Sequence, residues 1–113
     1  YPNSLFAVQA IEKVANFYLK MQDYQRAADL MQNVAQDFPD LDNMDAMLLK
    51  WAIALYRLNR MEEAYDKLTE LLNEFPESPH AEKGKQYRVQ IGKRLGKDED
   101  GGDAAPAPAE GGK

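Results

Sequence analysis

Few residues in this sequence could support covalent or acid–base chemistry. There is one histidine, His80, and no cysteine. The missing cysteine excludes disulfides, thiolate metal sites and a cysteine nucleophile. His80 stands next to Pro79 and close to Glu82, in the first turn of a helical stretch. A general base needs an orienting partner and a reacting group within hydrogen-bond reach. No Ser-His-Asp arrangement, glycine-rich phosphate loop or second histidine accompanies it, so His80 reads as a structural or solvated residue. The acids Asp37, Asp40, Asp42 and Asp45 could suggest calcium. A calcium loop, however, needs a glycine midway and a bidentate glutamate at its end. Counted from Asp40, those places hold Asp45 and Trp51. Helix capping and a favourable helix dipole account for the acids more simply. No catalytic residue, metal or cofactor is expected, and the chain reads as non-enzymatic.

What remains is the chemistry of recognition, and the bulk numbers bound it. The chain has 113 residues, 44% hydrophobic and 29% charged, as in an ordinary soluble globular domain. Its net charge is −5. Residues 97–113 hold two lysines against five acids, so the remainder is only mildly acidic. Nucleic-acid binding needs a concentrated basic face, and none is present. No apolar run approaches the about 20 residues a membrane span needs.

Recognition has to be positioned by helices. The stretch from Asp23-Tyr24 to Phe38-Pro39 recurs after 37 residues. Ala27 becomes Ala64, Met31 becomes Leu68, Val34 becomes Leu71, and Phe38-Pro39 becomes Phe75-Pro76. Shifted backward, the closing pair falls on Tyr1-Pro2. A fixed period in this range marks stacked repeats. Apolar residues at three- and four-residue spacing predict helices over 4–21, 24–37, 43–59, 61–74 and 79–96. Ser4 and Asp23 are N-cap candidates, Pro39 and Pro76 are stops, and Ser78-Pro79 reads as a cap followed by proline at the first helical position. The expected buried stripes are Ala7, Ala10, Ile11, Val14, Ala15, Tyr18 and Leu19 in the first helix, and Leu48, Trp51, Ala52, Leu55 and Tyr56 in the third. No strand pattern appears before residue 97. Residues 97–113 lack aromatic and branched apolar side chains, and a disordered acidic, Ala-Pro-Gly tail is expected there.

The two units resemble tetratricopeptide repeats. The first carries Ile11, Val14, Ala15, Tyr18, Tyr24, Ala27, Met31, Val34 and Pro39; the second carries Leu48, Trp51, Ala52, Leu55, Met61, Ala64, Leu68, Leu71 and Pro76. The resemblance implies an all-α solenoid over residues 1–96: two antiparallel helical hairpins and a C-terminal capping helix. The small residues have a physical reason, since Ala15 with Ala27 and Ala52 with Ala64 let hairpin helices approach closely. Two departures stand out. The period exceeds the family's about 34 residues, and Gln22 and Asn59 replace the usual turn glycine. Because the chain opens on the pair that closes each unit, a longer array is expected. The linkers around Tyr1-Pro2-Asn3-Ser4 and Phe75-Pro76-Glu77-Ser78-Pro79-His80-Ala81 resemble spacers in bacterial cell-envelope repeat proteins, those of outer-membrane assembly and of the Tol–Pal system among them.

The resemblance also implies a groove lined by the first helix of each repeat and holding a protein or peptide. Its residues would be Gln9, Glu12, Asn16, Leu19 and Lys20 in one unit, and Ala46, Leu49, Ile53, Tyr56 and Arg57 in the next. Family members that clamp a C-terminal carboxylate use a Lys and Asn set; only Asn16 fits it, with Glu12 and Leu49 where lysines are wanted, so no such clamp is expected. Leu49, Ile53 and Tyr56 form an apolar stripe apart from the inward one. Either a partner covers it or neighbouring helices do. The fifth helix is basic and sparse in apolar residues, as a solvated cap would be. The expected function is a non-catalytic protein–protein interaction scaffold in a bacterial envelope assembly, periplasmic or otherwise in the cell envelope. The alternatives are a cytoplasmic adaptor of a chaperone or regulatory complex, and a substrate-docking repeat domain of a larger enzyme.

Overall fold

The computed structural model describes residues 5–96. Along them run five helices: α1 (Leu5–Lys20), α2 (Tyr24–Asp37), α3 (Met44–Arg57), α4 (Met61–Glu74) and α5 (Ala81–Arg94). No strand occurs among the described residues, and the architecture is the expected all-α repeat solenoid. Two expectations, the Ser4 cap and the disordered tail of 97–113, lie outside the described residues.

The prolines stop α2 and α4 in the same way. A proline ring pushes the preceding residue out of helical geometry. Phe38 sits at φ −136°, ψ 67° and Phe75 at φ −132°, ψ 57°. Each still donates its N–H to the last turn, Phe38 to Val34 and Phe75 to Leu71. The helix starts are less uniform. Asp23 caps α2 as expected, accepting from the Arg26 N–H at 3.2 Å. Arg60 stands at the cap position of α4 and instead grips Glu63 through two hydrogen bonds of 2.9 and 2.6 Å. These raise the Arg60 pKa and hold the Glu63 carboxyl below its usual range.

The turns inside each hairpin need a residue with positive φ. Gln22 (61°) and Asn59 (65°) fill the place. In each turn two N–H groups return to the end of the preceding helix: Asp23 to Tyr18 and Gln22 to Leu19, then Arg60 to Leu55 and Asn59 to Tyr56. This is the Schellman arrangement, which satisfies carbonyls the helix end leaves free.

Ala15, Ala27, Ala52 and Ala64 are all buried to 1% exposure or less, so the hairpin helices approach closely where the small residues stand. Met31, Val34, Leu48, Leu55, Leu68 and Leu71 complete the core. Val14 departs from expectation: it is exposed on α1, although its spacing suits the inward stripe. Periodicity fixes which residues share a face, but cannot say how wide a face the neighbours cover.

Helix α5 starts two residues later than predicted. The Ser78 hydroxyl, expected at its cap, donates to Asp45 on α3 at 2.6 Å and accepts from the His80 N–H at 2.9 Å. The linker is thereby pinned to α3, and Pro79 and His80 lie in a turn. With α3 shifted by 37 residues, Met44 falls on Ala81, so α5 is in register the first helix of a third unit. Gly84 permits its contact with α4: a Cβ there would lie 2.6 Å from Leu71 Cδ2. The residues equivalent to Leu48 and Leu55 are Lys85 and Gly92, so α5 offers little to a further hairpin partner. Among the described residues no helix is long and apolar enough to cross a membrane.

Candidate protein-binding face

Two contacts show how the first helices of the units stand relative to each other. Glu12 of α1 accepts from Lys50 Nζ and from Asn43 Nδ2, both at 3.3 Å. Tyr87 of α5 meets the Tyr56 ring of α3 edge-on, with centroids 6.4 Å apart. These contacts pass over α2 and α4, so α1, α3 and α5 lie side by side and form one face of the molecule. The other side carries α2 and α4, with a trough of about 600 Å³ between them over Leu48 and Trp51. There the Lys67 ammonium lies 4.0 Å from the centre of the Trp51 ring.

The predicted groove residues divide into three groups. Gln9, Asn16, Lys20 and Arg57 are exposed, while Glu12, Leu19, Ile53 and Tyr56 are half-buried. Ala46 and Leu49 are core residues, 5% and 6% exposed. The second apolar stripe of α3 is therefore split. Its N-terminal part belongs to the interior, as expected for a helix apolar on most sides. Ile53 and Tyr56 keep part of their surface in solvent. Arg57 is drawn aside, its guanidinium 5.8 Å from the centre of the Tyr24 ring at the start of α2. Glu12 is engaged by Lys50 and Asn43, so it braces the two units together.

Two residues of α5 join the face although the sequence reading placed that helix in a cap. Tyr87 packs on Tyr56, and the Arg94 guanidinium stands 5.6 Å from the Tyr56 ring centre. The signal that could have found them is the third copy of the period, in which α5 occupies the place of α1 and α3. Asn43 is a further omission. It holds the cap position of α3 without a side-chain cap hydrogen bond. Its Nδ2 reaches Glu12, and its Oδ1 is buried with no hydrogen-bond partner.

His80 is half-buried at the start of α5, without a side-chain cap bond. Among the described residues no group of three His, Cys, Asp or Glu could hold a metal ion. Burial lowers the Arg88 pKa; this guanidinium sits 4.9 Å over Tyr65 and donates to Thr69 at 3.0 Å. It serves the α4–α5 contact, away from Tyr56. The arrangement on the α1–α3–α5 face suits non-covalent recognition: a half-exposed aromatic pair, an aliphatic neighbour and a guanidinium.

No curated protein matches the chain. The tetratricopeptide repeat family matches residues 18–86, from the end of α1 into α5 and over more than half of the chain. With its paired helices, small hairpin residues and closing prolines, the protein belongs to the tetratricopeptide repeat family.

Proposed function

We propose that the chain binds an extended or helical protein segment along the face formed by α1, α3 and α5, as a non-catalytic scaffold in a bacterial cell-envelope assembly complex. Tetratricopeptide repeats are in general protein–protein interaction modules. The observation that carries the reading is the partly exposed pair Ile53 and Tyr56, with Tyr87 and Arg94 against the Tyr56 ring. Aromatic and arginine side chains dominate binding energy at protein interfaces, because they combine large apolar contact with directed polar groups. Gln9, Asn16 and Lys20 extend the face with exposed polar groups able to meet a peptide backbone or an acidic side chain. The envelope placement is supported by the 37-residue period and by the linkers after Tyr1 and Phe75, which resemble those of envelope repeat proteins.

Site-specific photocrosslinking tests the reading. A photoreactive phenylalanine analogue replaces Ile53 or Tyr56, and separately the exposed Asp66 on α4, in bacterial cells producing the protein. Positions 53 and 56 should capture a common envelope partner that position 66 does not. Equal capture from position 66, or capture only of cytoplasmic proteins, would refute it.

A further inference from the structure

The helices that line the face share a feature at their C-terminal ends. Lys20 closes α1, Arg57 closes α3, and Lys93 with Arg94 closes α5. Lys20, Arg57 and Arg94 stand 37 residues apart, so each unit sets one cation at the same phase of the repeat. Because α1, α3 and α5 lie side by side and run the same way, the three form a row along one edge of the face. All three are exposed. Cations suit a helix C-terminus through its dipole, but the dipole does not account for the row. Helices α2 and α4 carry no base in their last turn and end in Asp37 and Glu74. The terminal cations are confined to the helices of the binding face.

The row is also open to a ligand. Arg57 leans on the Tyr24 ring, four residues beyond Lys20, and Arg94 leans on the Tyr56 ring, at 5.8 and 5.6 Å. Each guanidinium has five N–H donors. Among the described residues no carboxylate stands within salt-bridge distance of Lys20, Arg57 or Arg94. Asp23 and Glu63, in the segments that follow Lys20 and Arg57, are held by Arg26 and Arg60. Arg57 has a unit on either side of it, α1 with α2 and α4 with α5, so its exposure belongs to the interior of the solenoid.

We propose that the segment bound along this face is acidic and extended, its carboxylates meeting Lys20, Arg57 and Arg94 in turn while apolar groups between them cover Ile53 and Tyr56. The acidic ligand presupposes the binding face proposed above and adds the chemistry of what it holds. Charge selects it. The chain carries a net charge of −5, so three cations without a carboxylate partner are a local reversal of sign. Such a reversal steers an acidic segment to this edge and disfavours a basic one. Spacing suits it as well. Packed helices stand about 8–10 Å apart, and a polyproline II segment advances about 9 Å per three-residue turn. Acids at every third residue would therefore meet one cation per unit. Nucleic acid fits less well, because it calls for a concentrated basic face and would meet repulsion from the rest of the chain.

The test starts from a phage-displayed library of random dodecapeptides, selected on the full 113-residue chain. The tightest binders are remade as fluorescein-labelled peptides and titrated by fluorescence anisotropy. Enriched sequences should carry Asp or Glu at every third position. Their binding should weaken at least tenfold with Arg57→Glu/Arg94→Glu, severalfold with Lys20→Glu, and for the wild type in 1 M salt. Lys83→Glu, in the first turn of α5 at the opposite end of the face, should leave it unchanged. The substituted side chains are exposed, so circular dichroism melting should match the wild type. Acidic peptides indifferent to all three reversals would overturn the proposal. So would a thymidine oligonucleotide that binds more tightly than any peptide and is released by the same reversals. Acidic peptides that enrich only after Asp98, Glu99 and Asp100 are changed to Asn would make the chain's own acidic run the occupant, and would overturn it too. Acid-free peptides that need Ile53 and Tyr56 would sink the acidic chemistry and leave the binding face standing. Acidic peptides that need the three cations but ignore Ile53→Ser/Tyr56→Ser would uphold the row and sink the aromatic reading.

Discussion

Gly84 lies directly beneath Leu71, so close that a Cβ on the glycine would come within 2.6 Å of Leu71 Cδ2. Leu71 is completely buried, so it has little room to give way. Gly84→Val should destabilise the protein by about 1–3 kcal/mol through overpacking. Leu71→Ala alone should cost about 2–5 kcal/mol by leaving a cavity. Combined, the two should cost less than their sum, because the truncated leucine makes the space the valine needs. Urea unfolding of the four proteins measures this coupling, and strict additivity would show that the two positions do not meet.

The Ser78–Asp45 hydrogen bond ties the linker before α5 to the start of α3. Ser78→Ala leaves one carboxylate oxygen of Asp45 without this donor and removes the acceptor of the His80 N–H. A hydrogen bond to a charged group contributes about 1.5–3 kcal/mol. The variant should lose stability in that range, with the α5 amides gaining hydrogen exchange before those of α2. Uniform acceleration across all helices would argue against a local role.

Gln22 and Asn59 hold the left-handed turns with φ of 61° and 65°. A left-handed residue with a Cβ costs roughly 1–2 kcal/mol relative to its relaxed state, and glycine lacks that penalty. Gln22→Gly should therefore raise the thermal midpoint. Asn59→Gly should raise it less, since asparagine tolerates this region better than glutamine. A lower midpoint for Gln22→Gly would mean that the glutamine side chain stabilises its turn by other means.

Glu12 and Lys50 meet at 3.3 Å with both side chains partly in solvent. Exposed pairs of this kind are worth about 0–1 kcal/mol. A double-mutant cycle with Glu12→Gln and Lys50→Met should give a coupling in that range that shrinks in 1 M salt. A larger, salt-independent coupling would show that the pair is shielded from water.

Much of this molecule was legible in the sequence for a physical reason. Phe38 and Phe75 precede prolines, and a proline acts on its neighbour whatever the tertiary context, so the ends of α2 and α4 were predictable. Ala27 and Ala64 recur at one phase because two helices can approach closely only there. Val14 and Leu49 were misplaced for the converse reason. Each lies on an apolar side of its helix, but whether a neighbour covers that side depends on packing. Ser78 resembles a cap, and its partner Asp45 lies 33 residues away, beyond any local pattern. Tyr87 and Arg94 reach the candidate face through the Tyr56 ring, because α5 occupies the first-helix place of a third unit whose apolar positions are largely replaced, as at Lys85 and Gly92.

On the proposed binding face, Ile53 and Tyr56 serve recognition more than folding. The direct measurement compares wild type with Ile53→Ser/Tyr56→Ser for affinity toward the partner captured by crosslinking, with circular dichroism melting recorded on the same samples. Retained helicity and at least a tenfold loss of affinity, about 1.4 kcal/mol or more, are expected. Collapse of the helical signal, or undiminished affinity, would contradict it.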